Sequence, residues 1–190
     1  MGEMMLLLLA AVGGFLSWGF VEYGIHGFLS HRWKTVVSPL HWTHHRDPDA
    51  VFTAPLAWIP VALLGFGIVT LVFGLPLASA FTTGLVAGFA RYEYVHWRIH
   101  FREPRSDRQR ALRLHHLAHH YADPRAYHGV TTHRWDRLFG TLPPSWREDY
   151  ASVADRPLLT GPSNLGLVYN PRLAIGRVRT AFANREARDA

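Results

Sequence analysis

AVFTAPLAWIPVALLGFGIVTLVFGLPLASAFTTGLVAGFA, residues 50–90, runs for 41 positions without one charged side chain. At about 1.5 Å per residue, one helix of that length would reach about 60 Å, twice the roughly 30 Å of hydrocarbon in a bilayer. The stretch therefore reads as two spans. Gly74-Leu75-Pro76 interrupts the run of Leu, Val, Ile and Phe, so the sequence predicts helices near 54–73 and 76–98.

A third apolar segment lies upstream, from Met4 to about Tyr23. A cleaved secretory signal is the rival reading, but the segment has no basic leader and no A-x-A-like cleavage site before Glu22 and His26. Basic residues follow the first span (Arg32, Lys34, Arg46) and the end of the third (Arg91, Arg98, Arg102, Arg105), with none in the link between the second and third. By the positive-inside rule the N-terminus lies outside and the large polar segments lie in the cytoplasm. The expected fold is all-α: an integral membrane bundle of about three transmembrane helices, capped by cytoplasmic helices.

Composition narrows the chemistry. A chain of 190 residues with 48% apolar side chains suits one domain. It has no cysteine, which excludes thiolate metal sites, disulfides and cysteine nucleophiles. Its formal charge of +6 is the balance of nineteen arginines and one lysine against fourteen acidic residues. That charge is confined to the segments flanking the spans, which fits a membrane surface rather than a nucleic acid.

Ten of the thirteen histidines fall into four clusters: His26 and His31; His41, His44 and His45; His96 and His100; His116, His119 and His120. Each cluster lies at, or directly after, the cytoplasmic end of the first or third span. The two triplets have i, i+3, i+4 spacing and His96 and His100 are at i, i+4, positions that share a helix face with Cβ atoms about 5–6 Å apart. Ten imidazoles exceed what one ion can use and suit a dinuclear site. His115 allows a competing HxxxHH reading of the last cluster. The reading from His116 is preferred because it repeats the offsets of His41, His44 and His45. His133 is expected to be a surface or core residue.

Five stretches follow a known order: VEYGIHGFLSH (21–31), HWTHH (41–45), YEYVHWRIHF (92–101), LRLHHLAHHYADP (112–124) and GVTTHRWDRLFGT (129–141). Over about residues 15–142 the chain resembles the fatty acid hydroxylase superfamily of histidine-rich membrane enzymes, most of all its fatty acid 2-hydroxylases. The resemblance implies that the ten clustered histidines bind a dinuclear iron centre, which activates O2 to hydroxylate an unactivated C–H bond of a lipid. Zinc binds the same nitrogen donors and can replace iron in purified protein, but it has no redox chemistry. Trp135, Asp136, Phe139 and Gly140 match the closing signature and read as packing beneath the metals.

Groups expected to orient the imidazoles are Glu22, Glu93, His115 and His128. Soluble di-iron bundles use Glu-x-x-His ligation; here Glu93 stands three residues before His96, at that spacing, and Glu22 four before His26. Solvation at a helix end or pairing with Arg91 is the competing reading for these two. His128 occupies a position that is usually aromatic in relatives.

The expected division is a catalytic domain over 1–142 and a cytoplasmic extension over 143–190. In the extension Ile175, Val178 and Phe182 form an apolar stripe among arginines, as in an interfacial amphipathic helix. The expected location is a bacterial inner membrane, with the lipid substrate entering from the bilayer. No cytochrome b5-like domain is present, so electrons are expected from a separate ferredoxin, cytochrome or reductase. Two other readings stand beside hydroxylation: a related di-iron carotenoid or sterol oxidase or desaturase, and a non-enzymatic metal transporter or metal-binding protein. A transporter would place ligands near the bilayer midplane, whereas 4–21 and 50–90 hold no histidine.

Overall fold

A computed structural model describes residues 1–162, all helix and connecting loop with no strand among them. Its helices are α1 (Gly2–Gly24), α2 (Val37–Arg46), α3 (Pro55–Phe73), α4 (Leu75–Phe101), α5 (Asp107–Tyr121), α6 (Arg134–Phe139) and α7 (Trp146–Val153). α1 continues without a break into a π-helical segment, Ile25–Arg32. The stripe expected at 172–188 lies outside the described residues.

The two helices read from residues 50–90 form where expected. They are separated by Gly74 alone, whose φ of 79° and ψ of 161° suit glycine and few other residues. Pro55 and Pro76 occupy first-turn positions, where their missing N–H has no partner to lose. α4 runs three residues past the expected end. It stops at Phe101 because Pro104 keeps Glu103 out of helical conformation.

α1 and α4 pack together through glycines. A Cβ on Gly84 would lie 1.9 Å from the Ala11 carbonyl oxygen, and one on Gly14 would lie 2.0 Å from that of Phe81. Gly88, one turn on, meets the Trp18 side chain. Such small-residue contacts let backbones approach where lipid gives helices no hydrophobic reason to associate.

The outward faces are apolar. Leu8, Leu16, Leu63, Leu64, Leu71 and Val72 are exposed, which a water-soluble monomer rarely tolerates in a continuous band. Among the described residues, Gly2–Arg32 is the helix long and apolar enough to cross a membrane, and Trp58–Phe73 is apolar but shorter.

The conventional core is small. One cluster joins Leu117, Ala118, Ala126, Tyr127 and Val153; another joins Ile99, Leu112 and Val130. Histidines fill the centre instead, with His44, His96, His100, His116 and His119 all buried. Within residues 143–162, α7 packs on α5, and the Leu159 N–H donates to the His100 carbonyl at 2.9 Å.

Candidate metal centre

His26 and His31 are five residues apart. On an α-helix, at about 100° per residue, they would diverge by about 140°. The π-helical segment Ile25–Arg32 has wider turns with i→i+5 bonding and returns both rings to one side. His96 and His100 need no such device, because four residues on α4 already bring them to one face.

The ten imidazoles form two sets of five nitrogens. His26, His31, His41, His45 and His119 make one set; His44, His96, His100, His116 and His120 make the other; within each, the ligand atoms lie within 4.8 Å of one another. Both triplets are divided. His41 and His45 join the first set while His44 joins the second, and His116 and His120 join the second while His119 joins the first. Each i, i+4 pair thus serves one site and the i+3 residue between them serves the other.

The spacing fits a cation. Nε2 atoms in the first set approach at 3.0 Å for His26–His41, His26–His119, His41–His45, His31–His119 and His45–His119. In the second set His44–His96, His96–His116, His100–His116 and His116–His120 are also 3.0 Å apart. With metal–nitrogen bonds of about 2.1 Å, donors at right angles stand about 3.0 Å apart and donors at a tetrahedral angle about 3.4 Å. Both sets match the right-angled arrangement.

The loop at 126–131 fixes two rings of the first set. The His26 Nδ1–H donates to the His128 carbonyl, and the His119 Nδ1–H donates to the Ala126 carbonyl at 2.7 Å. Each bond leaves Nε2 as a bare lone pair aimed at the site. Tyr127, between the two carbonyls, takes a φ of 61° while fully buried. Five successive N–H groups hold this turn: Tyr127 donates to the Thr141 carbonyl, His128 and Gly129 to Asp136, and Val130 and Thr131 to Glu22.

Residues 11–141 match the fatty acid hydroxylase family. The chain belongs to the fatty acid hydroxylase family. It is 30% identical to a dihydroceramide fatty acyl 2-hydroxylase of Arabidopsis thaliana over 68% of this chain and 59% of that protein. It is 31% identical to human fatty acid 2-hydroxylase over 70% of this chain and 39% of that protein. A solved structure of full-length Scs7p, in which only the hydroxylase domain is visible, superposes with a TM-score of 0.65 at 25% identity, covering 82% of this chain and 60% of that one. The chain therefore spans about 60% of the plant relative and about 40% of the human one.

Within this hydroxylase-family fold the four residues expected to orient imidazoles behave differently from one another. Glu22 accepts from Val130 and Thr131, and Glu93 from the Thr53 N–H and hydroxyl. Glu22 thereby holds the loop whose carbonyls meet His26 and His119, and Glu93 holds the chain at Thr53. Each carboxylate satisfies backbone N–H groups of a loop, Glu22 those of Val130 and Thr131 and Glu93 that of Thr53. His115 is in neither set. Its Nε2 meets Asp136 at 3.0 Å and its Nδ1 meets the Tyr150 hydroxyl at 2.7 Å. His128 packs its ring against His26, His31 and His119 and acts on the site through its carbonyl. His133 stands beside His115, its ring 5.8 Å away.

Asp136 has a larger role than its place in a packing signature indicates. Fully buried, it accepts from His128, Gly129, Thr141 and His115. Burial pushes its carboxyl up, but the His115, Thr141 and Gly129 contacts outweigh this and leave it below its ordinary range. The sequence signal was the fixed spacing of Gly129 and Asp136, which carried no hint of a shared hydrogen-bond network.

Burial favours the neutral form of the clustered rings. Burial first, and neighbouring histidines second, push His44, His116, His119 and His120 well below the ordinary imidazole range. Burial lowers His45 to about 4. At neutral pH these rings offer lone pairs, the form that binds metal.

Proposed function

We propose that this chain is a membrane-bound, O2-dependent lipid hydroxylase that holds two iron ions and inserts a hydroxyl group into a C–H bond of a fatty acyl chain. The observation that carries this reading is the sorting of ten imidazoles into two right-angled sets of five nitrogens. When bound, the two irons together with O2 supply the oxidising chemistry for an unactivated C–H bond, which no acid, base or nucleophile of the chain can attack.

The residues of the chain bind and orient. His26, His31, His41, His45 and His119 would hold one ion and His44, His96, His100, His116 and His120 the other. Five nitrogens would hold each ion without filling a six-position site, so a non-protein ligand such as O2 could reach it. His26 and His119 keep their protons on Nδ1, held by the loop carbonyls, and Asp136 and Glu22 hold that loop. Burial of His116 and His119 excludes bulk water from the inner side of both sets.

In this reading α1, α3 and α4 cross a bacterial inner membrane, with the N-terminus outside and the histidines at the cytoplasmic face. The exposed apolar faces of all three helices support it. The lipid enters from the bilayer, and the names of the relatives point to the acyl chain of a ceramide-type lipid or a fatty acid. A separate ferredoxin, cytochrome or reductase brings electrons to the basic cytoplasmic surface.

The test is lipid analysis of a host expressing the chain against one expressing His119→Ala. Acyl chains gaining the mass of one oxygen atom, only with the unaltered chain, are the expected result. Loss of two hydrogens instead would mark a desaturase. No change in any lipid from a metal-loaded, membrane-inserted chain would refute the proposal.

A further inference from the structure

On the side of α4 away from His96 and His100, a cavity of about 350 Å³ opens between its last turns and the start of α5. Five arginines line it: Arg91, Arg98 and Arg102 from α4, and Arg108 and Arg113 from α5. The first three are spaced by seven and four residues, which keeps them within about 40° of one another on one helix face. None belongs to either of the ion pairs found among the described residues, which are His115–Asp136 and Arg125–Asp123.

The guanidinium groups have partners that position them without neutralising them. Arg98 donates to the Gln109 side chain at 3.1 Å, Arg102 stacks 5.0 Å above the Trp97 ring, and buried Arg113 donates to the Ile99 and Arg156 carbonyls. Val95, Ile99 and Leu112 add an apolar wall. Several positive forks around one small concavity match an anion with more than two acceptor oxygens, which favours phosphate over a carboxylate. The uncharged run ends at Ala90 and Arg91 follows directly; on the membrane reading proposed above, this sets the cavity at the depth of the lipid phosphates.

We propose that the arginine-lined cavity between α4 and α5 binds a phosphate group, carried by a phospholipid headgroup or free in solution. This site is separate from the metal centre and does not depend on what the histidines hold.

The test is native mass spectrometry of the delipidated full chain in a neutral detergent. It is titrated with dioctanoyl phosphatidylglycerol, inorganic phosphate, dioctanoylglycerol and decanoate. We expect one phosphatidylglycerol adduct per chain. Affinity should fall about ten-fold or more in the Arg102→Gln/Arg108→Gln double variant, which loses two charge-assisted donors at exposed positions. The Arg105→Gln/Arg110→Gln variant, altered at exposed arginines that do not line the cavity, should bind as the parent does. Displacement of the lipid by equimolar inorganic phosphate identifies the free anion as sufficient, and its failure identifies the headgroup. Equal binding of dioctanoylglycerol or decanoate, or no loss in the Arg102/Arg108 variant, overturns the proposal.

Discussion

His26 and His119 face each other Nε2 to Nε2 at 3.0 Å, and neither has a proton to place between them. Each has given its one hydrogen to a carbonyl through Nδ1, that of His128 for one and Ala126 for the other. Two lone pairs at that distance repel unless a cation lies between them or a ring is protonated, and burial opposes protonation of His119. Metal removal by a chelator should therefore lower the unfolding temperature by several degrees. The stabilisation regained at about one hundred times the dissociation constant is about 2.7 kcal/mol. Scanning calorimetry with and without added metal measures it, and an unchanged transition would count against both sets as metal sites.

The division of the triplets makes paired substitutions informative. His41→Ala with His45→Ala removes two nitrogens from one set and should leave one ion per chain. His44→Ala with His45→Ala takes one from each set and should weaken both. Elemental analysis of the two purified proteins distinguishes them, and identical metal contents would refute the assignment.

Asp136→Ala frees the His128 and Gly129 N–H groups and with them the carbonyl that orients His26. Metal affinity of the first set should fall about 10–100-fold, the usual cost of losing a partner behind a ligand. The second set has no ring bonded to this loop, so a metal titration should separate into a weakened and an unchanged phase.

Acid should destabilise the metal-free protein in a defined window. Above about pH 6.5 the rings are neutral both folded and unfolded, and there is no penalty. As pH falls below that value the unfolded chain takes up protons that the buried rings refuse, so stability is lost, by about 1.4 kcal/mol per pH unit for each such ring. The loss from His45 should level off near its folded value of about 4, while His44, His116 and His119 continue to lower. Unfolding temperature followed between about pH 7 and pH 4 should decline steadily; a flat profile would contradict the burial of these rings.

Gly84→Ala should cost about 1–3 kcal/mol, because its Cβ would meet the Ala11 carbonyl and the backbone there cannot give way. Gly65→Ala on α3 is the control. Nothing lies within 4 Å of a Cβ there, and the higher helix propensity should leave stability equal or raised. Unfolding in detergent compares the two.

The helices around residues 50–90 were legible in the sequence because charge and hydropathy are local. So was the gathering of the histidines, since span length fixes where each cluster emerges. Which histidine joins which set was not legible, because His44 and His45 are adjacent in sequence and differ only in where three other helices lie. The bonds of Glu22 and Glu93 were not legible for a related reason: they go to Val130, Thr131 and Thr53, residues distant in the chain. The interruption of α-helical winding after Gly24 left no propensity signal. Only the five-residue gap between His26 and His31 demanded it.

That wider winding has a consequence for α1 as a whole. The helix must aim Gly14 at α4 and, more than three turns later, aim two imidazoles at the histidine cluster, and an undisturbed α-helix ties those directions together at about 100° per residue. The π-helical segment resets the phase, so the apolar half and the histidine-bearing half of one continuous rod are tuned separately. Removing a single residue between His26 and His31 would restore the four-residue spacing seen at His96 and His100, yet it would swing the entire apolar half by about a quarter turn relative to the ligands.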